Sequence, residues 1–287
     1  MGGVYTGKDA YINGVSCVTA WSVTEAVTAK RYSASCVPGA TAVPEGIVNF
    51  TGQVSGVGAY PIAVIPTGTD LTFKGVVNNT GGSLLSLNGS ILVEQLTIDI
   101  DATTREAIKW AATFGAQGEL TEASTGAADS VVQEAETGKD FDIKVGASGL
   151  TQAVTKAQIV LRRPHATRVS GGATYRKAGN LEADLNFTVE ESSLLVATYA
   201  RNVKNRVKIF TYTDPMTSDQ YCWEFNQVRF LGKSNFEVSR ENPPKIISYQ
   251  VNAQWHAVDG NGSELGYILY GIEDSAEAAP IFGGNPY

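Results

Sequence analysis

Residues 45–54 read EGIVNFTGQV, and residues 182–191 read EADLNFTVEE. The Asn-Phe-Thr they share, at Asn49 and Asn186, recurs 137 residues apart inside two similarly patterned apolar segments. Each copy is formally an Asn-x-Thr glycosylation acceptor. The tripeptide therefore marks either two sugar sites on a secreted chain or one strand of a duplicated fold.

The offset decides between them when other landmarks are tested against it. At 137 residues Trp21 falls on Gln158, Phe73 on Phe210, and Ala116-Gln117 on Ala253-Gln254, while Arg105-Glu106 meets Arg240-Glu241 with a shift of two. Several landmarks at nearly one offset point to an internal repeat, although identity between the halves is low. The expected organisation is a first domain over residues 1–120, an acidic linker over 121–140, a second domain over 141–273 and a C-terminal arm over 274–287. Gly118 to Asp140 carries six acidic residues, one Lys and no sustained apolar periodicity, the composition of a solvated connection.

Composition agrees with a strand-rich chain. There are 30 Gly in 287 residues, abundant Val, Thr and Ser, and only 18% charged residues, so a mainly β or α+β fold is expected. The opening MGGVYTGKDAYING has no basic stretch followed by an apolar run, which reads as a chain made without a leader and retained in the cytoplasm. No apolar stretch approaches the length of a membrane-spanning helix. Cys17, Cys36 and Cys222 are odd in number and widely spaced, which points to isolated thiols rather than a disulfide framework or a zinc site. A formal net charge of −7 argues against a protein whose task is to grip nucleic acid.

Within the first half, strands are expected at 10–13, 17–23, 46–54, 70–77, 91–101 and 108–117. In the second half they are expected at 141–145, 157–161, 181–189, 207–212, 222–231 and 246–257. The last alternates most clearly. Ile247, Tyr249, Val251, Ala253 and Trp255 share one face, and Ser248, Gln250, Asn252, Gln254 and His256 share the other. Each half accommodates at most one short helix, expected over Glu191–Asn202 in the second, where Pro61 and Pro66 oppose its counterpart in the first. A further short helix is expected within the linker at Asp129–Glu136.

No catalytic constellation is expected. His165 and His256 lie outside any metal or nucleophile spacing, and no glycine loop matches a phosphate cradle. Asp99 and Asp101 point the same way on one strand, a pattern that suits a solvent face better than an acid/base pair or a cation site. No cofactor or metal is implied. Two long, turn-rich inserts, Ala29–Gly46 and Arg162–Asn180, are expected to be functional loops. The second is basic through Arg162, Arg163, Arg168, Arg176 and Lys177, and contact with an acidic protein surface suits it better than phosphate.

GVYTGKDAYINGVSCVTAWSV, a long loop, EGIVNFTGQV, GTDLTFKGVV and the closing AATFGAQGEL together resemble the major tail tube proteins of long-tailed bacteriophages. The resemblance covers Met1 to about Leu120, and the repeat extends it through most of the rest. It implies two tandem β-sandwich or half-barrel domains whose copies join side by side into a ring with polar strand faces lining a channel. Asp99, Asp101, Gln250, Asn252 and Gln254 would belong to that lining. Lys30, Arg31, Arg162, Arg163, Arg168, Arg176 and Lys177 would belong to loops that stack ring on ring.

That family builds its ring from six single domains, so a chain carrying two implies a homotrimer of pseudo-sixfold symmetry. The implied partners are further copies and other tail proteins such as the tape measure, terminator and hub. Double-stranded DNA would pass without specific binding, and no membrane would be involved. The implied place is the virion tail, after assembly in the host cytoplasm. A trimeric hub, baseplate or tail-end adaptor is the nearest alternative, and a secreted β-sandwich binding module is another.

Overall fold

In the computed structural model of this chain, the structure describes residues 4–7, 9–12, 18–28, 31–33, 40–42, 46–58, 65–78, 84–104, 106–124, 140–146, 148–149, 154–189, 204–238, 246–257 and 265–283. These residues are mainly β-strand, and no α-helix occurs among them. The expected helices at Glu191–Asn202 and Asp129–Glu136 lie outside them, as do Lys30, Cys17 and Cys36.

The strands of the first half are β1 (Val4–Gly7), β2 (Asp9–Ile12), β3 (Val18–Thr28), β4 (Arg31–Ser33), β5 (Ala40–Ala42), β6 (Ile47–Val57), β7 (Leu71–Asn78), β8 (Leu84–Asp101), β9 (Lys109–Ala116) and β10 (Thr121–Ser124). Those that follow are β11 (Asp142–Val145), β12 (Ser148–Gly149), β13 (Val154–Arg162), β14 (His165–Ser170), β15 (Ala173–Ala178), β16 (Glu182–Val189), β17 (Asn205–Thr213), β18 (Gln220–Val238), β19 (Ile246–Trp255), β20 (Ile268–Ile272) and β21 (Ala279–Phe282). All twelve expected strands coincide with one of these. Period-two burial accounts for them: in β13 Ala157, Ile159 and Leu161 are buried while Lys156, Gln158, Val160 and Arg162 are not.

Two long strands organise the sheet. Ile91 of β8 pairs with Leu71 of β7 on one side and Ala116 of β9 on the other. Further along, Gln95 pairs with Thr113 of β9 and with Arg162 of β13. The β7 edge of β8 therefore passes from β7 to β13, and this antiparallel ladder, from Gln95↔Arg162 to Asp101↔Lys156, joins the halves into one sheet. In β18, Val228 pairs with Asn205 of β17 and with Trp255 of β19. Beyond Val228 the β17 edge of β18 has no strand partner among the described residues.

The resulting order β1-β3-β6-β9-β8-β13-β16-β19-β18 runs antiparallel and does not close into a barrel. Within each half the order of pairing is the same, β3-β6-β9-β8 in the first and β13-β16-β19-β18 in the second. Phe50 and Phe187, the central residues of the two Asn-Phe-Thr copies, are both buried in the core, on β6 and β16. Ala116 and Ala253 are both buried, on the corresponding strands β9 and β19, and Arg105, Arg240 and Glu241 lie outside the described residues, but two other landmarks differ in their surroundings. Trp21 is buried opposite Val54, whereas Gln158 lies on the outer face opposite Asn186. Phe73 is in the main core, whereas Phe210 is buried outside it, beneath the Lys144 ammonium at 4.5 Å.

One contiguous apolar cluster fills the space behind the sheet. In the first half Trp21 meets Phe73 edge-on at 5.6 Å, and Phe73 meets Phe114 at 5.0 Å. Gly75 permits this approach, because a Cβ there would lie 2.7 Å from the Trp21 ring. In the second half Trp223 packs on Tyr270 at 5.0 Å. On the far side of β17 and β18 a charged group is fully paired: Lys208 donates to Glu273 and Asp274, Lys144 to Glu273, and Arg206 to Glu224 and Asp274. Lys208 and Glu224, the buried members of the group, persist as charges only with such partners.

Two segments expected to be loops or arms are strands. Arg162–Asn180 forms the hairpin β14–β15, turning through Gly171 and Gly172 at φ 58° and 81°. Consecutive positive φ angles define a tight two-residue hairpin turn that glycine occupies without strain. The expected C-terminal arm instead folds back on its own chain: β21 pairs with β20, and Phe282 meets Trp255 edge-on at 5.2 Å. Burial of that aromatic contact outweighs the Gly and Pro content that argued against a strand.

Candidate functional site

The face of the sheet opposite the core is polar, and β8, β13, β16 and β19 place its side chains in rows. One row crosses five strands, β9 included, through the register Lys109↔Asp99↔Gln158↔Asn186↔Asn252. Along it the Asn186 amide donates to Gln158 Oε1 at 3.1 Å, and the Gln158 amide donates to Asp99 Oδ1 at 2.8 Å. The next row is Asp101↔Lys156↔Thr188↔Gln250. Together these residues line a polar concavity of about 510 Å³ that straddles the seam between the halves.

Four of the five residues expected to share a lining thus meet in this concavity: Asp99, Asp101, Gln250 and Asn252. Gln254 stands on the same face one row away, opposite Asp184 and Arg229. Gln158, Asn186, Thr188, Lys109 and Lys156 complete the site and were not anticipated. For Lys156, Gln158, Asn186 and Thr188 the signal was the alternation in β13 and β16, for Lys109 that in β9, and Asn186 is itself the Asn of the repeated tripeptide.

The face is not free of cations, as β19 alone had suggested. Lys156 pairs with Asp101 at 2.6 Å, Arg162 pairs with Asp184, and Lys109 pairs with Glu106 at 2.7 Å. Burial pushes the Asp101 carboxyl up, but Lys156 and the Thr103 hydroxyl and amide outweigh it and hold it at about 2. Glu106 keeps the exposed Lys109 ammonium above its usual value. Each of these three cations is partnered by a carboxylate, while Asp99 receives a neutral amide. Among the described residues no group of three or more His, Cys, Asp or Glu converges as a metal site would require. Cys222 is buried, and burial pushes its thiol up to about 12, far from a reactive thiolate.

Of the residues expected in stacking loops, Arg168 and Lys177 are exposed on the β14–β15 hairpin, and Arg162 and Arg163 are half-buried at its base. Arg31 lies in β4, which pairs with β5. Arg176 is different, being only 7% exposed. Its Nη1 donates to the Ala116 carbonyl, its Nη2 to Asn49 Oδ1 at 2.6 Å, and its Nε lies 3.4 Å from Glu94. Its main chain exchanges two hydrogen bonds with the Gln117 side chain. Arg176 therefore clamps the second half's hairpin onto the first half and cannot act as a surface cation. Both Asn-x-Thr asparagines are likewise engaged internally, Asn49 by Arg176 and Asn186 by Gln158.

No protein-family model and no curated protein matches this chain. The geometry above therefore carries the functional argument. It is a wide, polar sheet face on which Lys109, Lys156 and Arg162 are paired with carboxylates, without a metal cluster or an enclosed pocket among the described residues that line it.

Proposed function

We propose that the chain is a structural subunit that extends its sheet from copy to copy into a ring, and that rings stack into a hollow tube. This is the tail tube reading that the sequence resemblance implies, with two tandem β-sandwich or half-barrel units per chain. One observation carries it: the β8–β13 ladder joins the halves edge to edge, and the corresponding edge of β18 beyond Val228 has no strand partner among the described residues. At the other end of the sheet β1 covers β3 only from Trp21 to Thr24, leaving Glu25–Thr28 without a second strand partner among them. An unpaired strand edge is a template for another chain, and closure into a ring satisfies it.

Three chains would repeat the β8–β13 joint around the ring, giving pseudo-sixfold symmetry. The amide and carboxylate rows would then line the bore. Lys109, Lys156 and Arg162 are partnered by carboxylates, so these rows would offer passing DNA few free charges to neutralise its phosphates. Further copies, the tape measure, terminator and hub proteins of a virion tail would be the partners, and DNA would pass without specific binding.

Electron microscopy and light scattering of the purified chain test this. Long hollow rods with a regular repeat support the tube. Rings that never stack favour the hub or tail-end adaptor, and a chain that stays monomeric under all assembly conditions removes both and favours a binding module.

A further inference from the structure

We infer that the hairpin β14–β15 is held to the first half by a proton-sensitive lock, in which a neutral His165 is required between Glu94 and Arg176. The His165 side chain is 1% exposed, and its Nδ1 lies 3.2 Å from Glu94 Oε1. Glu94 belongs to β8 and Arg176 to β15, so one carboxylate faces a guanidinium and an imidazole from the docked hairpin. The charged groups around the ring are these two, with the main chain of Val93 beside it. Neither ring nitrogen has a well-aligned hydrogen bond among the described residues.

While His165 is neutral, Glu94 and Arg176 balance. A proton on the ring would bury a second cation against a single carboxylate, with only part of its hydration replaced. The cost would fall on the contacts that dock the hairpin, namely Arg176 to Ala116 and Asn49, Gly118 N–H to the Thr174 carbonyl, and Val48 N–H to the Gly172 carbonyl. Burial, ahead of the opposing pull of Glu94, keeps the imidazole below its usual value. A base with a depressed folded-state pKa stabilises the fold fully above its unfolded value, near 6.5, and loses that contribution as pH falls beneath it. The lock is therefore closed at neutral pH and loosens in mild acid, whether or not the chain builds a tube.

Hydrogen exchange of the full chain at pH 7.5 and pH 5.5, corrected for intrinsic rates, tests it. Amides of residues 165–178 should lose protection by up to about tenfold relative to those of β16, the limit that a site with an unfolded value near 6.5 sets at pH 5.5. In His165→Gln this extra loss should vanish. A hairpin whose protection tracks that of β16, or a His165→Gln chain that keeps the full response, overturns the proposal. If His165→Gln does not fold, His256→Asn leaves His165 as the chain's only imidazole. Its nuclear resonance should then stay neutral through pH 6.5 and shift together with the hairpin amides. Titration at the ordinary value with those amides unmoved contradicts the lock.

Discussion

The side-chain amide of Gln158 donates to Asp99 Oδ1 at 2.8 Å across the β8–β13 ladder, while its own oxygen accepts from Asn186. The amide is thus oriented by both neighbours. Gln158→Ala removes both bonds and should lower stability by about 1–2 kcal/mol in chemical denaturation. Gln158→Glu places a carboxylate against Asp99 and should cost more at pH 7 than at pH 4, where protonation relieves the repulsion. An equal cost at both pH values would show that the row is not electrostatically coupled.

Gly115 and Arg176 should be coupled in stability. A Cβ on Gly115 would lie 1.9 Å from Arg176 Nε, so Gly115→Ala is expected to expel the guanidinium from its seat. Arg176→Ala should cost about 2–4 kcal/mol by unpairing the Ala116 carbonyl, Asn49 and Glu94. In the double variant the new methyl group enters vacated space, and the combined loss in thermal unfolding should fall well short of the sum of the two.

Acid sensitivity should depend on Asp101. Its carboxyl is held at about 2 by Lys156 and Thr103 against the opposing effect of burial, below the usual 3.8. A depressed acid stabilises the fold fully above its unfolded value, and that contribution disappears as pH falls toward the folded one. Between pH 5 and pH 2 the wild-type chain should therefore lose more stability than Asp101→Asn, which starts lower and changes less. Parallel losses would assign the acid response to other carboxylates.

The polar face should become a DNA-binding surface when its charge balance is broken. Asn252→Arg together with Gln250→Arg adds two cations without added carboxylates. The variant should bind double-stranded DNA at low salt with an affinity that falls steeply as salt rises, whereas the wild-type chain should bind weakly throughout. Fluorescence anisotropy over a salt series reads both. Strong wild-type binding would remove the argument for a passive wall.

The strands were legible because burial with period two is local. The sequence of β19 alternates from Ile247 to His256, and β6 and β16 show alternate burial around the Asn-Phe-Thr that the two halves share. The β14–β15 hairpin was missed although Gly171-Gly172 sits between β-branched residues, a recognisable turn signal. Its arginines and Pro164 drew attention to charge instead of alternation. The burial of Arg176 could not be read locally, because Asn49 lies 127 residues away and the space for the guanidinium depends on Gly115. The same limit applied to the polar concavity. Asp99, Asp101, Gln250 and Asn252 could be named one strand at a time, but the residues between them on β13 and β16 emerge only from the register.

Sheet extension at the open edges of β3 and β18 is the centre of the account, and the number of chains in one ring tests it most directly. Native mass measurement of isolated rings should give three times the mass of the chain, with six similar lobes in averaged end-on images. Rings of six chains, or a chain that remains single at every concentration, would contradict it.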